Sequence, residues 1–166
     1  MSKREAYAAA LERIERLIEG ETDEVAILAT VVCELHHALA HFHWTGFYRV
    51  TEPGMLRVGP YQGGHGCLAI PFERGVCGAA ARERQTQLVP DVALAPHHIA
   101  CSSTTRSEIV VPVLDREGAV RAVLDVDSDE LAAFDDEDRA WLERLCARVG
   151  RTVLWPRLPA ARPGAP

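Results

Sequence analysis

The sequence predicts an α+β fold, in which helices pack on the faces of a central antiparallel β-sheet. Three observations support this prediction. Apolar residues recur at helical intervals before His43, short strand-like segments with glycine-containing turns follow, and helical periodicity returns after Asp135. Helices, then a run of strands, then a helix is an order typical of α+β domains. The chain has 166 residues, which is enough for one domain with a buried core.

Two amphipathic helices are predicted before His43 and one at the end of the domain. Ser2 and Glu5 have the spacing of a capping box at the start of the first helix. Its apolar stripe consists of Tyr7, Leu11, Ile14 and Ile18. The second helix is predicted from Thr22, with a stripe of Leu28, Val32, Leu35 and Leu39. The last helix is predicted from Asp135, with Leu142, Leu145, Val149 and Val153 on one face.

The middle of the chain predicts the strands of the sheet. They are expected at residues 43–50, 55–58, 67–70, 87–89, 107–114 and 119–127. A hairpin turn at 115–118 joins the last two, and Pro112 favours an edge position or a bulge. A short alanine-rich helix is predicted at 76–84. The connection at 90–106 lacks apolar periodicity, and long connections of this kind are usually functional.

Composition limits the possible functions. The net charge of −6 argues against a nucleic-acid role, because nucleic acids are themselves strongly negative. No apolar run reaches the roughly 18 residues of a membrane span, and the first residues lack the apolar region of a signal peptide. The number of cysteines, five, is odd, which argues against a framework in which every cysteine is paired in a disulfide. We therefore expect a cytoplasmic protein with one domain at 1–155 and a disordered proline-rich tail at 156–166.

Three cysteines are candidates for chemistry. Cys67, Cys77 and Cys101 are spaced ten and twenty-four residues apart, each among glycines or small residues that leave a thiol reachable. In a reducing compartment such thiols indicate metal binding or redox chemistry. The spacing matches no paired zinc pattern, so neither a metal nor a cofactor is expected. A purely structural role remains open for each thiol. Cys77 lies at the start of its predicted helix, where a thiolate would be stabilised.

Carboxylates and aromatic residues form a second set of candidates. Asp125 and Asp127 lie two apart in a strand and share one side, which Glu108 on the preceding hairpin strand can approach. The alternative is a solvent-exposed face of the sheet on which Arg121 forms an ion pair with an aspartate. Trp44 and Tyr48 also share one side of a strand. They are either the walls of an apolar slot or ordinary core residues.

Six short motifs carry a resemblance to a known family. They are Trp44-Thr45-Gly46-Phe47-Tyr48, Gly59-Pro60-Tyr61-Gln62-Gly63, Arg74-Gly75-Val76-Cys77-Gly78, His98-Ile99-Ala100-Cys101, Ser107-Glu108-Ile109-Val110 and Val123-Leu124-Asp125-Val126-Asp127-Ser128. In this order, from about Trp44 to Trp141, the chain resembles the GAF-domain free methionine-(R)-sulfoxide reductases. Ser102 and Arg106 depart from the family pattern, but all three matched thiols are present.

The resemblance implies a GAF-like fold and reduction of free methionine sulfoxide, with electrons from thioredoxin. It implies that Cys101 attacks the substrate and that Cys67 resolves the product, and Cys77 matches the third cysteine of the family. From its position in the sequence, Cys77 is either an alternative resolving thiol or a packing residue. The positions matching the substrate pocket are Trp44, Tyr48, Glu108, Asp125 and Asp127. A homodimer through the amphipathic first helix is also expected.

The residue types suit this chemistry. A thiolate can attack the sulfoxide sulfur if an acid protonates the oxygen, and a second thiol then removes the resulting sulfenic acid. Three adjacent carboxylates repel, so one should keep its proton at neutral pH and act as the acid. An ionised neighbour could bind the α-ammonium of a free amino acid, which a protein-bound methionine lacks. The alternative function is a stand-alone GAF module that binds a small molecule without catalysis.

Overall fold

The computed structural model describes residues 1–95 and 103–159. Cys101 and the last seven residues of the predicted tail lie outside the described residues. The helices are α1 (Lys3–Leu17), α2 (Glu24–Ala38), α3 (Gly75–Glu83) and α4 (Asp136–Thr152), with a 3-10 turn at Val92–Leu94. The strands are β1 (Trp44–Glu52), β2 (Met55–Gln62), β3 (Ala69–Pro71), β4 (Gln87–Val89), β5 (Ser107–Leu114) and β6 (Val120–Ser128).

The six strands form one antiparallel sheet in the order β3-β2-β1-β6-β5-β4. Strands β1 and β6 are far apart in sequence but pair directly at the centre of the sheet, from Trp44 opposite Asp127 to Arg49 opposite Ala122. This pairing brings the start of β1 and the end of β6 together. The predicted α+β class with a central antiparallel sheet is confirmed.

Helices α1, α2 and α4 cover one face of the sheet and form the larger core. Strand residues such as Phe47, Leu124 and Val111 point into it beside the apolar stripes of the helices. Helix α4 lies very close to β5, because a Cβ on Gly150 would overlap the carbonyl oxygen of Leu114. Only glycine permits this spacing between helix and strand.

Helix α3 packs on the opposite face, where the second core contains Tyr48, Val110 and Val123. Gly78 allows α3 to approach the end of β3, since a Cβ there would come within 2.6 Å of the Phe72 carbonyl oxygen. The short α3 therefore places its first turn directly over the middle of the sheet.

Local signals in the sequence explain most boundaries. The capping box of Ser2 and Glu5 is confirmed. Helix α2 begins at Glu24 and not at Thr22, because the Asp23 side chain caps it by accepting from the Ala26 amide. Pro112 pairs with Val123 on β6 and lies beyond Val110, the last residue of β5 that pairs with β4. Its missing N–H therefore costs no hydrogen bond to β4.

Within the described residues, the helices are too short or too polar to traverse a bilayer.

Candidate active site

Three strands bring the predicted carboxylates to one face of the sheet. Asp127 on β6 pairs with Trp44 on one side and with Glu108 on the other. Asp125 lies two residues before Asp127 and therefore shares its face. The register of two strand pairs thus collects residues from β1, β5 and β6 under helix α3.

The aromatic residues form a stack above this face. The Trp44 ring lies between Tyr48, at a centroid distance of 5.8 Å, and Tyr61, at 5.4 Å. Its Nε1–H donates to the Gly64 carbonyl at 3.0 Å, which fixes the orientation of the indole. Gly46 leaves the space for this stack, because a Cβ there would overlap the Trp44 ring and lie 2.6 Å from the Tyr61 Cβ.

Cys77 reaches the carboxylates from the first turn of α3. Its sulfur and one oxygen each from Glu108 and Asp125 lie within 4.8 Å of one another. The three side chains are only 4%, 5% and 6% exposed, respectively. Burial, and then the charges of Asp125 and Glu108, raise the pKa of the Cys77 thiol well above its ordinary value. The helix start therefore does not produce the thiolate that its position suggested, because burial and negative neighbours outweigh it.

The carboxyl groups also favour their protonated forms. Burial raises the pKa of Asp125 well above its usual range, and the charge of Glu108 adds to the rise. Burial, then the charge of Asp127, raises the pKa of Glu108 in the same way. Asp125 hydrogen-bonds both Glu108 and Cys77 through its side chain. Two carboxyl groups in hydrogen-bond contact share a proton, so the contact itself favours a protonated pair.

A cleft of about 420 Å³ opens beside these groups. It is lined by His43, Trp44, Gly64, His65, Ser103, Thr104, Thr105, Asp127 and Asp129. Its volume lies in the usual range for small-molecule sites. Asp127 belongs both to the buried carboxylate group and to the wall of the cleft, so it connects the two. Burial, and then the charges of Asp125 and Asp129, raise the pKa of Asp127.

Comparison with known proteins identifies the family. The GAF domain model matches residues 4–153. The free methionine-R-sulfoxide reductase of Escherichia coli is 38% identical over 153 residues, 92% of each chain. That of Saccharomyces cerevisiae is 35% identical over 161 residues, 93% of this chain and 89% of the relative. A structure of free methionine-R-sulfoxide reductase from Neisseria meningitidis in complex with its substrate superposes with a TM-score of 0.84, at 44% identity and 90% coverage of both chains.

The chain belongs to the GAF-domain family of free methionine-R-sulfoxide reductases. The resemblance drawn from the six sequence motifs is confirmed, as is the GAF fold. The fold of this reductase family brings together all the described candidate residues: Trp44, Tyr48, Cys67, Cys77, Glu108, Asp125 and Asp127.

The remaining candidates have distinct surroundings within this reductase fold. Cys67 is half-buried before β3, and its backbone amide donates to the Tyr48 hydroxyl. It is disulfide-bonded, whereas Cys33, Cys77 and Cys146 are free thiols. Cys101, the predicted nucleophile, lies outside the described residues.

Sequence reasoning left open whether Arg121 pairs with the site aspartates, and the structure excludes this. Its Nε donates instead to Asp115 Oδ2 in the β5–β6 turn, at 2.7 Å. The roles of Tyr61 and Gly46 in the aromatic stack were not predicted from the sequence. A glycine inside a strand is a signal of close approach by another group, and at Gly46 that group is the Trp44 ring.

Proposed function

We propose that this chain reduces free L-methionine-(R)-S-oxide to L-methionine. The buried Glu108–Asp125 pair beneath the aromatic stack carries the proposal, because it places a proton donor beside a cleft of suitable size. The named relatives support the same reaction. Because these relatives are oxidoreductases, catalysis is favoured over ligand sensing as the function of this chain.

The first step uses Cys101 as nucleophile. Its thiolate attacks the sulfoxide sulfur and forms a transient S–S bond. The protonated oxygen then transfers to the Cys101 sulfur: its bond to the substrate sulfur and the transient S–S bond both break, and methionine leaves with its sulfur reduced. The oxygen stays on Cys101 as a sulfenic acid. The oxygen needs a proton as its bond to the substrate sulfur weakens, and the proton held between Glu108 and Asp125 is available for it. General acid help of this kind contributes about 10²- to 10⁴-fold to a rate.

The second step uses Cys67 as resolving thiol. Its sulfur attacks the Cys101 sulfenic acid, a disulfide forms and water leaves. The disulfide-bonded state of Cys67 supports its participation in redox chemistry. Thioredoxin, a dithiol, then supplies two electrons and two protons to restore both thiols. Cys77 stays protonated at neutral pH because its pKa is raised, so we assign it a packing role in the floor of the cleft and not a resolving role.

Selectivity for the free amino acid follows from Asp127. This carboxylate lines the cleft and lies opposite Trp44 across β1 and β6. In this proposal Asp127 binds the α-ammonium of the substrate, while Trp44 and Tyr48 contact the S-methyl end. An ammonium beside Asp127 stabilises the ionised carboxylate, which burial otherwise disfavours. A methionine within a protein chain has no ammonium to offer, so the carboxylate would be left buried and unpaired.

A single-turnover experiment tests the proposal. The reduced protein is mixed with one equivalent of the R epimer, and methionine is quantified while the cysteine linkage is read by mass spectrometry. We expect methionine and a Cys67–Cys101 disulfide. Cys101→Ser should abolish methionine formation, and Cys67→Ser should form methionine but accumulate the sulfenic acid. Cys146→Ser, at a buried thiol in the other core, is the matched control.

Two substrate controls test the selectivity. The S epimer and N-acetylmethionine-(R)-sulfoxide, which lacks the ammonium, should give far less product. Calorimetry that shows tight binding of the R epimer without turnover, even with reductant, would favour the sensor function instead. Turnover coupled to thioredoxin and its reductase tests the electron donor.

The cellular context and assembly are further parts of the proposal. We propose a cytoplasmic enzyme, since thioredoxin-dependent recycling requires a reducing compartment. We also propose a homodimer through α1, on which Leu17 is exposed although the apolar stripe of the helix packs in this chain's own core. Sedimentation analysis of the full chain tests the dimer, and a monomer at micromolar concentration would exclude it.

A further inference from the structure

His43 is held at the wall of the cleft by three contacts with the end of β6 and the residue that follows it. Its backbone N–H donates to the Asp127 carbonyl oxygen at 3.0 Å. Its ring nitrogen Nδ1 accepts from the Asp129 backbone amide at 3.1 Å and lies 3.2 Å from Ser128 Oγ. His43 also lines the cleft. The imidazole is therefore fixed beside Asp127, the residue to which the proposed function assigns the substrate ammonium.

The same contacts determine which ring nitrogen carries the proton. A backbone N–H can only donate, so Nδ1 is the acceptor and the ring proton is on Nε2. Ser128 Oγ accepts from the Glu130 amide at 3.3 Å, which leaves its own hydrogen to donate to His43 Nδ1. Within the part of the chain that the structure describes, His43 Nε2–H makes no hydrogen bond. It is a donor at the cleft wall whose direction is fixed by the rest of the ring.

The cleft offers acids for an ammonium but no strongly basic side chain for a carboxylate. Among its described lining residues, Asp127 and Asp129 are acidic and none is lysine or arginine. In a free amino acid both charged groups are bonded to the same carbon, so the donor for the carboxylate must lie next to the acid for the ammonium. His43 meets this condition, because it precedes Trp44, the residue paired with Asp127, and donates its own amide to the Asp127 carbonyl.

We propose that His43 Nε2–H binds the α-carboxylate of the substrate, and that this contact selects against methionine sulfoxide at the N-terminus of a peptide. The inference deepens the proposed function and rests on it. Asp127 rejects only methionine sulfoxide whose amine is acylated, whereas the first residue of a peptide still carries an ammonium. That residue has an amide in place of the carboxylate, so His43 supplies the discrimination that Asp127 does not.

The difference between a carboxylate and an amide sets the size of the effect. A hydrogen bond from the imidazole to a carboxylate is charge-assisted and roughly twice as strong as one to a neutral carbonyl. Removing a hydrogen bond to a charged group weakens binding by about 10- to 100-fold, and removing one to a neutral group by about 2- to 10-fold. The ratio of the affinities for the acid and for its amide therefore reports the contact.

Calorimetry on full-length variants tests the contact without turnover. All carry Cys101→Ser, which removes the proposed nucleophile, and the two ligands are L-methionine-(R)-sulfoxide and its carboxamide. His43→Ala should lower the affinity for the free amino acid by about 10- to 100-fold and that for the amide by about 2- to 10-fold. His43→Gln, whose side-chain N–H reaches close to the position of Nε2, should recover most of the preference for the acid.

His65→Ala is the matched control, because His65 is also an exposed histidine of the cleft wall. It should leave the ratio of the two affinities unchanged. A distorted cleft would weaken both ligands alike, so equal losses in His43→Ala overturn the proposal, as does a ratio that changes in His65→Ala alone. If a thermal scan shows that His43→Ala is unfolded, His43→Phe, which keeps a ring without a donor, replaces it with the same expectation.

Turnover by the wild-type chain separates this inference from the proposed function. Free methionine-(R)-sulfoxide should be preferred over the dipeptide methionine-(R)-sulfoxide–glycine by about tenfold or more in kcat/KM, and His43→Ala should reduce this preference mainly through KM. If the wild type turns over but the preference survives His43→Ala, the inference fails and the proposed function stands. If calorimetry gives the expected ratio but the wild type shows no turnover, the carboxylate site stands and the proposed function fails. Absence of binding of both ligands overturns both.

Discussion

Glu108 and Asp127 are directly opposite each other across β5 and β6, on the face that also carries Asp125. An arrangement of three carboxyl groups on adjacent sheet positions is unfavourable when all are ionised. Burial and mutual repulsion raise the pKa of each of the three residues, which favours protonated forms in which the repulsion is relieved. The same arrangement therefore has consequences for stability and for turnover.

The stability of the protein should decrease as the pH rises above about 4. In the unfolded chain these carboxyl groups lose their protons near that pH, whereas Glu108 and Asp125 keep theirs to higher pH in the folded chain. The folded state then binds more protons, so the free energy of unfolding falls by up to about 1.4 kcal/mol per pH unit for each such proton. Glu108→Gln should flatten this decline and be more stable than the wild type at pH 8, measured by urea unfolding.

The control for this measurement is Glu12→Gln, because the Glu12 side chain is 69% exposed. It should follow the wild-type pH dependence. If Glu108→Gln and the wild type lose stability in parallel between pH 5 and 8, the carboxyl group of Glu108 does not bind its proton more tightly in the folded state.

Turnover should depend on the same proton. Asp125→Asn removes the ionisable partner of Glu108 and should lower single-turnover methionine formation by about 10²- to 10⁴-fold. In the wild type, the rate should fall at alkaline pH, as the raised pKa values of the pair are passed and the proton is lost. The exposed Asp136→Asn is the control. A rate within threefold of the wild type for Asp125→Asn would contradict the assignment of the acid.

Much of the fold could be predicted from local patterns. The capping box at Ser2, the turn that ends at Gly118 and the alternation in β6 are all determined within a few residues, and each is present in the structure. The side that Asp125 and Asp127 share follows from strand geometry alone. Predictions of this kind need no knowledge of distant contacts.

The position of Cys77 in the site could not be predicted in this way. Its first-turn location in α3 indicated an activated thiolate, but its actual pKa depends on the approach of α3 to β5 and β6. That approach is permitted by Gly78 against the carbonyl of Phe72. Such spacing between distant elements leaves no periodic signal in the sequence. The Glu108–Asp125–Cys77 contact therefore emerges only from the packed structure.

Gly46→Ala should impair substrate binding more than stability. The added methyl group would overlap the Trp44 ring and press on Tyr61, so the indole must move away from the cleft wall. We expect KM to rise about tenfold with little change in kcat, and overpacking to lower stability by about 1–3 kcal/mol. The control is Gly64→Ala in the same region, where a Cβ would meet no atom within 4 Å. Equal KM values for the two variants would show that the aromatic stack does not hold the substrate.

Asp138→Asn should destabilise the fold without affecting turnover. Asp138 is fully buried and accepts hydrogen bonds from the Lys3 ammonium at 2.7 Å and the Tyr7 hydroxyl at 2.8 Å, which connects α4 to α1. Together with His41 they hold the pKa of its carboxyl well below the ordinary value, although burial alone would raise it. Removing the charge leaves the Lys3 ammonium, which is partly exposed, with Asp135 at 2.9 Å as its remaining partner, so we expect a loss of about 1–3 kcal/mol at pH 7.

The pH dependence of this loss distinguishes the ion pair from simple packing. A carboxyl group with a lowered pKa stabilises the fold above its unfolded pKa of about 4, and this contribution disappears as the pH falls through the folded value. The difference between Asp138→Asn and the wild type should therefore narrow from pH 5 to pH 3 in urea unfolding experiments. Asp136→Asn, whose side chain is 92% exposed, should show little difference at any pH. A gap for Asp138→Asn that stays constant down to pH 3 would mean that Asp138 acts through its shape and hydrogen bonds, not through its charge.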